Sequence, residues 1–116
     1  MAQTSLGSVY VIDDEAHIRT AIEQLLELAG YDVHCFSDAN ELLDKVDIFY
    51  DGVVISDINM PKMDGHRLMA NIQRIDADLP IILLTGFGDI SMAVEAMRKG
   101  AYDFIEKPFD NDHLLD

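Results

Sequence analysis

Apolar runs of strand length alternate five times with stretches whose apolar positions recur at helical spacing. The runs are Val9 to Ile12, Val33 to Phe36, Val53 to Ser56, Ile81 to Thr85 and Tyr102 to Glu106. Short, nearly continuous apolar runs suit strands covered on both faces. Between the first two, Ile18, Ala21, Ile22, Leu25 and Ala29 fall at helical spacing, and Gly30 follows as a stop. A second, short helix is expected around Leu42, Leu43 and Val46. The third carries Leu68, Ile72 and Ile75 on one face and ends before Pro80. The fourth, Asp89 to Lys99, is expected to turn Ile90, Ala93, Val94 and Met97 inward, leave Met92 and Ala96 outside, and end at Gly100. Asn111 to Asp116, with Leu114 and Leu115, reads as the stub of a truncated fifth helix. The alternation predicts an α/β fold: a five-stranded parallel sheet with helices on both faces, a three-layer sandwich. Right-handed crossovers leave few topologies, and the flavodoxin-like order 2-1-3-4-5 is the one expected.

Length and composition narrow this to one domain, residues 8–116, behind a tail of residues 1–7. The chain has 116 residues, 49% of them hydrophobic and 26% charged, the balance of a folded globular protein rather than a disordered one. Its formal charge of −14 argues against gripping a phosphate backbone, which Lys and Arg neutralise, so no direct nucleic-acid contact is expected. The lone Cys35 cannot form an internal disulfide. Met1 to Leu6 has neither the basic start nor the apolar core of a signal peptide. No apolar run approaches the roughly 20 residues needed to span a bilayer. A cytoplasmic protein without membrane contact is expected.

Chemistry concentrates where the strands end. Asp57 ends the run Val53-Val54-Ile55-Ser56, Asp13-Asp14 ends the first run, Thr85 closes Ile81-Ile82-Leu83-Leu84, and Lys107-Pro108 ends the last. In a parallel sheet these ends share one edge, where open α/β sheets hold their ligands. Carboxylates gathered there repel one another, a pair at ~4 Å by about 4 kcal/mol at an effective dielectric near 20. Such a site wants a cation, and Mg²⁺ suits it because that ion takes oxygen ligands and commonly one or two carboxylates plus a phosphate oxygen. The plainer reading of Asp13-Asp14, capping the next helix, is physically sound but leaves Asp57 and Lys107 unexplained. Asp57 is the candidate nucleophile toward phosphorus, with Lys107 and the Thr85 hydroxyl as charge-neutralising partners. His17, His34, His66 and His113 have no metal-ligand spacing, and none stands beside a Ser or Cys as a base would.

With these four strand-end motifs in this order, the chain resembles the receiver domain of a two-component response regulator from about Ser8 to its end. Thr85-Gly86-Phe87-Gly88-Asp89-Ile90 with Met92-Ala93-Val94, then Gly100-Ala101-Tyr102-Asp103-Phe104, is similar to receivers of sigma-54-dependent transcription activators, particularly those regulating dicarboxylate transport. A smaller nitrogen-fixation-type regulator with a helix-turn-helix output is the alternative. The resemblance implies that Asp14 and Asp57 bind Mg²⁺ directly, that Asn59 supplies a backbone carbonyl, and that Asp13 acts mainly through a water. It implies that Pro108 is a cis-proline aiming Lys107 into the site, and that Thr85 and Phe104 form a switch. The partners implied are a sensor histidine kinase, the protein's own output domain, and a second copy bound on phosphorylation through the fourth helix, fifth strand and fifth helix. Receivers usually complete the fifth helix and continue into an output domain, so the chain reads as a receiver apart from its output.

Two rivals share the fold. A haloacid-dehalogenase-like phosphatase also uses a strand-end Asp and Mg²⁺, but such enzymes resemble one another in a second Asp two residues on, where this chain has Asn59. A flavin-binding module would need a phosphate-cradling loop rich in Ser, Thr and Gly after the first strand, and none follows. The expectation is therefore a phosphoacceptor switch that assists its own phosphorylation and dephosphorylation, not an enzyme.

Overall fold

The computed structural model describes residues 7–47, 50–58, 65–86 and 90–106. In chain order these form β1 (Ser8–Ile12), α1 (Ala16–Leu28), β2 (Asp32–Phe36), α2 (Ala39–Lys45), β3 (Gly52–Asp57), α3 (Gly65–Ile75), β4 (Ile81–Thr85), α4 (Ile90–Arg98) and β5 (Asp103–Glu106). The strands make one parallel sheet in the order β2-β1-β3-β4-β5, as the alternation predicts. β3 runs one residue further at each end than its apolar run, so that Asp57 belongs to the strand. The stub Asn111 to Asp116 lies outside the described residues.

Alternate side chains of each strand point to opposite faces, and two cores result. On one face Ile12, Val54, Ile81 and Leu83 pack with Leu42 of α2, Leu68, Met69 and Ile72 of α3, and Ala96 of α4. On the other, Val9, Val11, Val33, Ile55, Leu84 and Ile105 pack with Ile22 and Leu26 of α1. Helices thus cover both faces, the arrangement a parallel sheet requires. The stops after α1 and α4 are as expected: Gly30 (φ 103°) and Gly100 (φ 110°) take the left-handed backbone that favours glycine. α2 opens on Asp38, whose carboxylate accepts the Asn40 N–H at 2.8 Å.

The facing of α4 differs from the expectation. Ala93 and Ala96 are fully buried, whereas Val94 is 50% and Met97 38% exposed. The side chains of Ile90 and Met92 lie outside the described residues. The segment is apolar on almost every side, so periodicity alone did not choose a face. Two small residues at i and i+3 let the helix axis approach the sheet closely, and the larger Val94 and Met97 are left outside.

Candidate functional site

The sheet register brings the chemistry-bearing ends together. Ile12 of β1 pairs with Ser56 of β3, so both strands run out at the same level, β1 into Asp13-Asp14 and β3 into Asp57. Asp57 pairs with Leu84, the residue before Thr85, and Thr85 pairs with Glu106, the residue before Lys107. β1 and β3 are adjacent although β2 separates them in sequence, which makes the edge between them the switch point of the sheet.

Asp13 is fully buried and Asp14 exposed, although they are neighbours in the chain. Asp13 Oδ1 accepts the Glu15 N–H at 2.9 Å, an Asx turn leading into α1. Its main-chain carbonyl accepts a hydrogen bond from Arg19 Nη1 at 2.6 Å. The helix N-cap is Glu15, which makes no side-chain capping bond. Capping therefore accounts for one oxygen of Asp13 and for nothing at Asp14.

Asp57 is 5% exposed at the end of β3. Its carbonyl accepts the Ser56 hydroxyl at 2.9 Å; the following Ile58 donates its N–H to Leu84 O at 3.0 Å and accepts the Gly65 N–H at 2.9 Å. Gly65 presses directly on this turn. A Cβ there would stand 2.8 Å from Ile58 Cα, closer than real Cβ atoms come, and 3.0 Å from Asp57 O, a tight contact. Gly65→Ala is therefore expected to displace the Asp57 backbone, costing about 1–3 kcal/mol in urea denaturation as overpacking does and slowing any chemistry at Asp57. Unchanged stability would show that the loop yields freely.

Ligand oxygens of Asp13, Asp14 and Asp57 all lie within 4.8 Å of one another. Buried carboxylates are held by partners or by a metal, and three acceptors in this geometry form a cluster able to coordinate a divalent ion. Beside it, Thr85 is fully buried and its Oγ1 has no hydrogen-bond partner among the described residues. Leaving such a group unpaired costs about 1–3 kcal/mol, so a hydroxyl in this state invites a ligand oxygen. Phe104 is half-buried in β5, opposite Leu83 and against the core on that face. Asn59, Lys107 and Pro108 lie outside the described residues. Sequence reasoning passed over Arg19 and Ser56, whose contacts reach main-chain oxygens of site residues. The one available signal was a basic residue a single helical turn past an acidic pair, in a chain with 8 Lys and Arg against 22 Asp and Glu.

A sequence model of the response regulator receiver domain matches residues 9–116. The chain is 53% identical over 108 residues to the C4-dicarboxylate transport transcriptional regulatory protein DctD of Rhizobium meliloti (strain 1021), covering 93% of this chain and 24% of that protein. It is 44% identical over 111 residues to the transcriptional regulatory protein FixJ of Bradyrhizobium diazoefficiens, covering 96% and 54%. It thus spans between a quarter and about half of these relatives' lengths. Among solved structures, full-length FixJ from B. japonicum superposes with a TM-score of 0.88 at 43% identity, over 97% of this chain and 55% of that one. The receiver domain of NtrX from Brucella abortus superposes with a TM-score of 0.85 at 36% identity, over 92% and 91%.

Proposed function

Because this chain belongs to the response regulator receiver domain family, we propose that Asp57 is the residue on which it accepts a phosphoryl group, from the histidine of a sensor kinase. The domain is a phosphoacceptor of two-component signalling, a phosphotransfer switch rather than a classical enzyme. The observation that carries Asp57 is its position: a buried carboxylate at the end of a central strand, its ligand oxygen within 4.8 Å of those of two others, one residue short of the level of Thr85, whose hydroxyl has no partner among the described residues. An Asp57 carboxylate oxygen attacks phosphorus, the bond from phosphorus to the donor's imidazole nitrogen breaks, and an acyl phosphate forms. Thr85 Oγ–H donates to a phosphoryl oxygen, and Lys107 supplies a positive charge. Asp13, Asp14 and Asp57, with the Asn59 carbonyl, would hold Mg²⁺, which when bound offsets the carboxylates' mutual repulsion and the charge of the incoming phosphoryl group. A small phosphodonor with Mg²⁺ should give one acid-stable, alkali-labile label per chain on a peptide containing Asp57. No label, or a label elsewhere, defeats the assignment.

Residues 8–116 are the receiver and 1–7 a tail, and the output is control of transcription by a module of the full-length protein. The dicarboxylate-transport type is favoured over the smaller nitrogen-fixation type by 53% against 44% identity. No helix among the described residues is long and apolar enough to cross a membrane; the cytoplasm is the proposed location because the proposed kinase partner and transcriptional output act there. Phosphorylation shifts a two-state surface that includes Thr85 and Phe104.

That surface extends to α4 and β5, where a second copy binds. The apolar groups it offers are Val94, Met97 and Tyr102, the last 69% exposed, flanked by Glu95, Arg98 and Lys99. Ala96, expected outside, is buried and takes no part. Rim charges of this kind set register and encounter rate more than affinity, so the pair is weak and salt-sensitive. Sedimentation should show a larger species with Mg²⁺ and a beryllofluoride mimic, and Met97→Glu should suppress it. Identical profiles with and without the mimic would leave a monomeric receiver.

A further inference from the structure

The acidic cluster depends on a loop of only three residues, Asp13-Asp14-Glu15, between β1 and α1. One oxygen of Asp13 is tied to Glu15 N–H, but that contact lies within the loop and cannot anchor it to the rest of the fold. A contact from α1 does reach it from the rest of the fold. Arg19 sits at the fourth position of the helix, and because helix side chains lean toward the N-terminus its guanidinium lies back over the first turn and donates to the Asp13 carbonyl at 2.6 Å. The main chain of Arg19 is itself held: its N–H donates to Glu15 O at 3.2 Å, and its carbonyl accepts the Cys35 thiol of β2 at 3.8 Å.

We infer that Arg19 is a positioning residue for the cation site, acting through the peptide plane that joins Asp13 to Asp14. That plane is rigid, so fixing the Asp13 oxygen restricts both the Cα of the buried carboxylate and the Cα of the exposed one. Asp14 gains most, since as the exposed member of the cluster it has fewer neighbours to set its direction. The Arg19 guanidinium also offsets part of the carboxylates' mutual repulsion, and by the same charge it opposes a cation binding there. The bond goes to a main-chain carbonyl, so Arg19 acts on the loop through its backbone.

The two effects of Arg19 have opposite signs, and this makes the inference testable. Removing its charge without disturbing the loop would tighten Mg²⁺ binding; losing the anchor weakens it. The inference rests on the cluster binding a divalent cation, so Mg²⁺ alone is titrated calorimetrically into the wild-type chain, Arg19→Met, Arg19→Gln and Arg19→Lys, with circular dichroism as the check on folding. The expected result is about tenfold weaker binding in the two uncharged variants, the size seen when a group orienting a metal ligand is lost, with Arg19→Lys between them and wild type because its ammonium can still donate one bond. Unchanged or tighter binding in a folded uncharged variant overturns the role of Arg19. Should neither uncharged variant fold, Arg19→Lys decides: weaker binding supports the role and wild-type binding overturns it. A wild-type chain that takes up no Mg²⁺ defeats instead the reading of the cluster as a cation site, and this inference with it.

Discussion

Asp57→Asn is expected to lose phosphoryl uptake to background while becoming more stable without Mg²⁺. The amide keeps the size and most hydrogen-bonding capacity of the side chain but is not a nucleophile toward phosphorus. It also removes one charge from a cluster whose oxygens lie within 4.8 Å of one another and in which Asp13 and Asp57 are both buried. One such pair repels by about 4 kcal/mol at ~4 Å and an effective dielectric near 20, and after relaxation and pairing a net gain of roughly 1–2 kcal/mol in the metal-free protein is reasonable. Mg²⁺ should narrow or reverse that difference, because it binds and stabilises the wild type more strongly than the variant. Phosphodonor labelling and urea denaturation with and without Mg²⁺ read the two effects separately. Persistent labelling would move the acceptor elsewhere; a less stable metal-free variant would mean that the Asp57 contacts outweigh the repulsion.

Asp14→Ala is expected to leave the fold nearly unchanged and to abolish the dependence on Mg²⁺. Asp14 is exposed, and substitutions at such positions usually alter stability by no more than about 0.5 kcal/mol. As one of three carboxylates in the cluster, however, it supplies a large share of the attraction for a cation. Wild-type protein should gain stability with rising Mg²⁺ as RT ln(1 + [L]/Kd) requires, about 2.7 kcal/mol at a hundredfold excess over Kd. The variant should show a flat response and background labelling. A melting temperature that still climbs with Mg²⁺ would place the ion away from Asp14.

Much of the site was legible before any fold was known. Asp57, Thr85 and the Asp13-Asp14 pair each follow a separate apolar run, and parallel strands run out at a common edge, so finding the runs located the residues. The register then aligned Ile12 with Ser56 and Thr85 with Glu106. The facing of α4 was not legible, because Val94 and Met97 are as apolar as the alanines that displaced them. For Arg19 the chain offered only a basic residue in the first turn after an acidic pair, and nothing in that spacing says that a main-chain carbonyl rather than a carboxylate will be its partner.

The elements and the acidic residues that end the strands could be read along the chain, because short apolar runs and a 3.6-residue period are properties of neighbouring residues, and the crossover rule for parallel sheets then supplied the strand order. Tertiary structure alone decided that Asp13 is buried while Asp14 is exposed, that Thr85 Oγ1 has no partner among the described residues, that Gly65 lies against the Asp57 carbonyl, and that Ala93 and Ala96 rather than Val94 and Met97 meet the sheet. Each of these depends on what stands across from a residue in space, on the neighbouring strand or the helix above. A one-dimensional pattern carries no information about that distance.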